Sequence, residues 1–225
     1  VNTPREISLE AIDGVRLSAY LAEPDGPPRG GVVVVQEIFG VNAHIRAVTR
    51  EFARQGFLAV APRVFDRVAP GTELGYDEAG VARGRALVAE LGFDAALRDV
   101  HAAAGWLQSQ DTGAAVVGYC WGGTVALLAC TRIGLPAVSY YGGRSMAFLH
   151  ETPQAPLLLH FGAHDALIPA DHVAAQRAAF PEAEAHVYDA GHGFNCTERR
   201  DHHPPSAALA LQRTLAFLER WAHPD

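Results

Sequence analysis

The chain contains no lysine; all 18 of its basic residues are arginines. That absence excludes a Schiff-base lysine, a Walker A lysine and a Ser-Lys dyad. Cysteine is scarce too. Cys120, Cys130 and Cys196 are too few and too scattered for a disulfide framework, and they fit a reducing cytoplasm. No C-x-x-C pair or obvious resolving cysteine is present, which disfavours a thiol redox protein. No apolar run approaches the roughly 20 residues of a membrane span, and no signal-peptide pattern opens the sequence. Net charge is −7 and no basic cluster exists beyond Arg199-Arg200. Neither nucleic acid nor an anionic membrane is an expected partner. Repeats, low-complexity tracts and interdomain linkers are absent, so residues 1–225 are expected to form a single domain, as a monomer or small homo-oligomer.

What the chain does contain is alternation. Ile7 to Leu9 and Val15 to Ala22 predict two strands joined at Asp13-Gly14, a hairpin signal. Apolar runs at 31–36, 57–61, 114–117, 137–141, 155–162 and 185–189 predict further strands, several continuous enough to be central and parallel. Between them lie helical patterns: Asn42 to Gln55, Asp77 to Leu91, Asp94 to Gln108 with Asp94 as a cap, and Thr124 to Cys130. Ala170 to Ala179 follows, and a terminal helix runs from Pro204-Pro205 through Trp221 with Leu211, Leu215 and Leu218 as its inner stripe. Residues 63–76 have no period and predict a loop over the active-site face. Strands alternating with helices predict an α/β fold, a mostly parallel central sheet with helices on both faces.

The most informative stretch is Gly118-Tyr119-Cys120-Trp121-Gly122-Gly123. Strand, sharp turn, helix is the setting of a nucleophile elbow, here with cysteine at its centre. The turn would hold Cys120 at a helix N-terminus, where backbone N–H groups and the helix dipole favour a thiolate. A cysteine at such a turn is also a common small buried residue. What argues for catalysis lies downstream. Asp165 follows one apolar strand and His192, in Gly191-His192-Gly193-Phe194, follows the last. Nucleophile, acid, histidine is the chain order of the α/β-hydrolase triad. In that scheme Cys120 attacks an ester carbonyl, His192 acts as general base, and Asp165 orients the imidazole. His164 adjoins Asp165, but a carboxylate suits the orienting task better. The N–H of Trp121, next after the nucleophile, is one candidate oxyanion donor.

With these residues in place, the chain resembles the dienelactone hydrolase family of the α/β-hydrolase fold. The resemblance spans about Val15 to Trp221. It rests on Gln36-Glu37-Ile38-Phe39-Gly40, the Cys120 elbow, Tyr140-Tyr141-Gly142, His164-Asp165 and Gly191-His192-Gly193-Phe194. It implies hydrolysis of a lactone or small ester through an acyl-cysteine, without a cofactor. It implies Ile38 N–H as the second oxyanion donor. Glu37 ends an otherwise apolar strand, where a carboxylate is costly unless paired. The resemblance implies that it contacts the resting thiol and takes its proton when substrate arrives.

Members of that family hold an acidic substrate with two arginines. The first position corresponds to Arg83 or Arg85. The second, four residues after the histidine, is Cys196 here, and Arg199 and Arg200 nearby are expected to face solvent. Phe39, Trp121, Tyr141 and Phe194 adjoin the motifs and are candidate pocket walls. The histidines His160, His164, His192, His202 and His203 show no HExxH-type spacing, so no metal is expected. The competing reading is a non-catalytic α/β-hydrolase-fold protein that binds a small molecule.

Overall fold

A computed structural model describes residues 2–223. Strands β1 (Arg5–Glu10) and β2 (Arg16–Ala22) form the expected hairpin, with Gly14 at φ 79° in its turn. Then follow β3 (Gly31–Val35), α1 (Ala43–Arg54), β4 (Leu58–Pro62), α2 (Glu78–Gln108), β5 (Ala115–Tyr119) and α3 (Trp121–Ile133). The chain continues through β6 (Ala137–Tyr140), β7 (Leu157–Gly162), α4 (Ala170–Ala179), β8 (Glu184–Tyr188) and α5 (Pro204–Trp221). The strands make one eight-stranded sheet in the order β1-β2-β4-β3-β5-β6-β7-β8. Only β1/β2 and β2/β4 pair antiparallel; from β4 to β8 every pair is parallel.

Every residue of β3, β4 and β5 is buried. Successive side chains of a strand point to opposite faces, so both faces of the sheet centre are covered. Asn42 caps α1, its Oδ1 accepting from Ile45 N–H at 3.2 Å. Asp77 does the same for α2, accepting from Gly80 N–H at 2.7 Å. The two helices expected between Asp77 and Gln108 run into each other across a kink at Gly92, φ 71°. Gly92, with non-helical backbone, rather than the expected Asp94 flanks the second helical segment; Asp94 lies two residues past the break, and its Oδ1 accepts from Arg132 Nη1 at 2.8 Å. The predicted 63–76 loop contains a 3₁₀ turn, Val64–Arg67.

The inner face of α5 also differs from expectation. Its buried residues are Ser206, Ala210, Thr214, Phe217 and Leu218, while Leu211 and Leu215 are only partly buried. The reason is a polar spot in the core. Thr214 Oγ1 bonds both Tyr140 OH (2.7 Å) and His160 Nε2 (3.1 Å), turning its side of the helix inward. No described helix is long and apolar enough to cross a membrane.

Candidate active site

Loops at the carboxyl ends of β5, β7 and β8 bring together three residues distant in sequence. Cys120 sits between β5 and α3 at φ 55°, ψ −118°, a conformation that non-glycine residues rarely adopt. Its N–H donates to the Tyr140 carbonyl at 3.0 Å, and its own carbonyl accepts from Gly123 N–H at 2.9 Å. Glycine is required on either side. A Cβ at Gly118 would collide with the Gly122 carbonyl, and one at Gly122 with the carbonyls of Val35 and Gln36. The elbow is thus pressed against the end of β3, where Glu37 and Ile38 lie.

Asp165 Oδ1 accepts N–H bonds from Leu167 (2.8 Å) and Ile168 (3.2 Å), which fixes the carboxylate and leaves Oδ2 free to face inward. Oδ2 lies 2.7 Å from His192 Nδ1, and His192 Nε2 lies 3.2 Å from Cys120 Sγ. Burial opposes a charge on His192, but the Cys120 sulfur and the Asp165 carboxylate outweigh it and push its pKa up to about 10. The imidazole is therefore held ready to carry a proton beside the sulfur. His164 turns outward to Asp189, 2.6 Å away and exposed, so the aspartate of the His164-Asp165 pair is the one facing His192, as expected.

Glu37 is buried, and its environment corrects one expectation. Its Oε2 accepts from Tyr76 OH at 2.9 Å and its Oε1 from Arg199 Nη1 at 3.0 Å. It does not rest on the thiol; the sulfur's bond is to His192. Charged guanidinium and phenol donors outcompete a thiol for a buried carboxylate. Tyr76 in turn accepts from Asn42 Nδ2 at 3.2 Å, and the Arg199 guanidinium lies over its ring, 5.9 Å from the centroid. Arg199 reaches inward across Gly193, φ 79°, where a Cβ would stand 2.7 Å from Nε. Burial disfavours the guanidinium charge, but Glu37 and the Cys120 sulfur offset this and hold its pKa above the ordinary value.

Arg199 was expected to face solvent, and here sequence reasoning missed a site residue. The available signal was the arginine's place seven residues past His192, with Cys196 in the nearer position. Arg83 and Arg85 are exposed on α2. Between them Gly84 packs so closely that a Cβ would collide with the Ile38 carbonyl. Trp121 is the first residue of α3, so its N–H has no intrahelical acceptor. Phe39, Tyr141 and Phe194 are at most 2% exposed, so they back the site rather than line an open pocket. The Tyr141 ring stands 5.1 Å from the His192 ring and 5.3 Å from Phe194, with its backbone at φ 41°. A cavity of about 560 Å³ lined by Phe180, Phe217 and Trp221 opens by Leu157 and Glu184, at the amino ends of β7 and β8, and so takes no part in this site.

Residues 17–222 match the sequence profile of the dienelactone hydrolase family. A carboxymethylenebutenolidase from Pseudomonas putida is 34% identical over 94% of this chain and 94% of its own. A Yersinia pestis protein assigned as a carboxymethylenebutenolidase is 38% identical over 91% of this chain and 84% of its own. A crystal structure of a Klebsiella pneumoniae protein assigned as a dienelactone hydrolase superposes with a TM-score of 0.83 at 31% identity, covering 98% of this chain and 100% of that one. The chain is a hydrolase of the dienelactone hydrolase family, with the α/β-hydrolase fold.

Proposed function

We propose that residues 1–225 act as one domain that hydrolyses a lactone or small carboxylic ester through an acyl-cysteine on Cys120. The observation that carries this reading is the alignment Sγ···Nε2 3.2 Å, Nδ1···Oδ2 2.7 Å. A protein that only bound its ligand would have no need of that alignment, nor of the strained backbone at Cys120.

The Cys120 sulfur pair attacks the carbonyl carbon, and the thiol proton rests on His192. The carbonyl π pair moves to oxygen, where the N–H groups of Ile38 and Trp121 receive the negative charge; such donors are worth about 2.7–4 kcal/mol each. Collapse of this intermediate breaks the ester C–O bond, and the leaving oxygen takes the proton from His192. Water then attacks the acyl-cysteine, His192 accepting its proton and returning it to sulfur. Asp165 holds the imidazole in the tautomer this requires.

Glu37 is an alternative acceptor of that one thiol proton in this proposal, taking it in place of His192, and it is reserved. Its bonds to Tyr76 and Arg199 keep it off the thiol until they open. A carboxylate on the substrate competes for Arg199 and releases Glu37 towards the sulfur. Arg199 thus takes over, from three residues further along the chain, the part that Cys196 cannot play. The favoured substrate is accordingly a small lactone bearing an acidic group.

Hydrolysis of an activated aryl ester, measured before and after stoichiometric alkylation of Cys120, tests the nucleophile. Turnover should be present and then lost; no turnover in either state would return the reading to a binding protein. Glu37→Gln should leave the fold intact and slow acidic lactones at saturation. Unchanged kcat would remove Glu37 from the reaction.

A further inference from the structure

Behind Glu37 the fold assembles a group that no local sequence pattern announces. Glu37 follows β3, His44 lies in the first turn of α1, and Cys196 comes from the loop after His192. One carboxylate oxygen, one ring nitrogen and Sγ lie within 4.8 Å of one another, and all three residues are buried. His44 is 3% exposed, and its Nε2 is sealed from solvent with no hydrogen-bond partner among the described residues. Leaving such a group unpaired costs about 1–3 kcal/mol. A neutral imidazole offers a lone pair to a cation, and a thiol offers its sulfur once deprotonated.

We propose that Glu37, His44 and Cys196 form a binding site for a thiophilic divalent cation, with zinc the best match. A sulfur, an imidazole nitrogen and a carboxylate oxygen together are a zinc donor set, whereas magnesium and calcium take oxygen ligands alone. Zinc binds sulfur at about 2.3 Å and nitrogen or oxygen at about 2.0–2.2 Å, so tetrahedral donors stand roughly 3.3–3.7 Å apart. From their present spacing the side chains need draw in by only about 1 Å. On binding, Cys196 loses its proton to water and its sulfur pair makes the bond to the metal. Thiolate and Glu37 together supply two negative charges against the ion's two, and the Arg199 guanidinium, 3.0 Å from Glu37 Oε1, adds one positive charge to the cluster. Three protein donors leave a fourth position, for water or for the Tyr76 hydroxyl already bonded to Glu37.

One consequence follows for catalysis, and it rests on the role proposed above for Glu37. A carboxylate bound to metal cannot move to the Cys120 sulfur, so an occupied site restrains the enzyme. Binding itself does not depend on that role.

Cobalt(II) is the probe, because a cobalt–thiolate bond gives a near-ultraviolet charge-transfer band. Metal-stripped full-length protein is titrated with cobalt(II) without oxygen. The wild-type protein and Cys120→Ser should both develop the band, Cys196→Ser should not, and zinc should displace it. His44→Gln should weaken binding by more than the roughly 10–100-fold cost of losing an outer-shell partner. Circular dichroism checks that each variant folds; should Cys196→Ser fail to, His44→Gln carries the test. No band in the wild type at millimolar cobalt, a band lost in Cys120→Ser but kept in Cys196→Ser, or His44→Gln binding like wild type overturns the proposal. Zinc that binds at this site without slowing ester turnover would sink the role of Glu37 and leave the site standing.

Discussion

At the residue scale the consequential side chain is Arg199. It bonds the buried Glu37, covers the Tyr76 ring and lies close enough to Cys120 to interact with its sulfur. Replacing it with methionine keeps much of the packing and removes the charge. Arg199→Met should raise KM for a lactone bearing a carboxylate by about 10- to 100-fold, the worth of a charge-assisted hydrogen bond. It should leave KM for a neutral ester nearly unchanged; steady-state kinetics on the two substrates make the comparison. Equal losses on both would show that the guanidinium serves structure alone. Cys120, Asp165 and His192 were legible because each sits just past an apolar strand and, for Cys120 and His192, between glycines. Arg199, Tyr76 and His44 were not. An arginine in a polar loop, a tyrosine in an aperiodic stretch and a histidine at a helix start look the same whether they face water or a buried carboxylate.

At the scale of elements, α2 controls the site by contact. Gly84 lies against the Ile38 carbonyl, whereas Gly105 in the same helix has open space where a Cβ would stand. Gly84→Ala should force α2 away from the segment carrying the Ile38 N–H and lower kcat towards the 10²–10³-fold loss of one oxyanion donor. Gly105→Ala should keep full activity and stabilise the fold by up to about 1 kcal/mol, since only helix propensity changes. Turnover together with urea melts of both variants would separate the effects. In the sequence both are simply glycines inside helical stretches. Which one faces a backbone is not written locally, because close approach depends on what packs across from it.

For the whole molecule, the buried histidines set the pH range of stability. Burial, aided by His186 and Arg213, holds His160 well below the ordinary value of 6.5, in a network with Tyr188 OH at 2.8 Å and Thr214. His44 is lowered in the same direction by burial. A group whose folded pKa is depressed stays neutral in the native state while the unfolded chain takes up a proton below about 6.5. Stability should therefore fall as pH drops below that value. His192 works the opposite way. Its pKa is raised to about 10, so its contribution is complete below 6.5 and is lost as pH rises through 10. Denaturation midpoints across pH 5 to 10.5 should peak between these limits. His160→Asn should flatten the acid side; an unchanged acid limb in that variant would show that other groups govern it.

Sequence alone determined the architecture and the order of the triad. Continuous apolar strands, glycine-bounded turns and 3.6-residue periods are local, and burying them leaves few ways to stack strands and helices. Tertiary structure alone decided how Glu37 is held, which face of α5 turns inward, and that Glu37, His44 and Cys196 form one buried cluster. Those outcomes depend on distances between segments far apart in the chain. A short-range pattern encodes which side chains seek burial, but not which polar partner waits for them there.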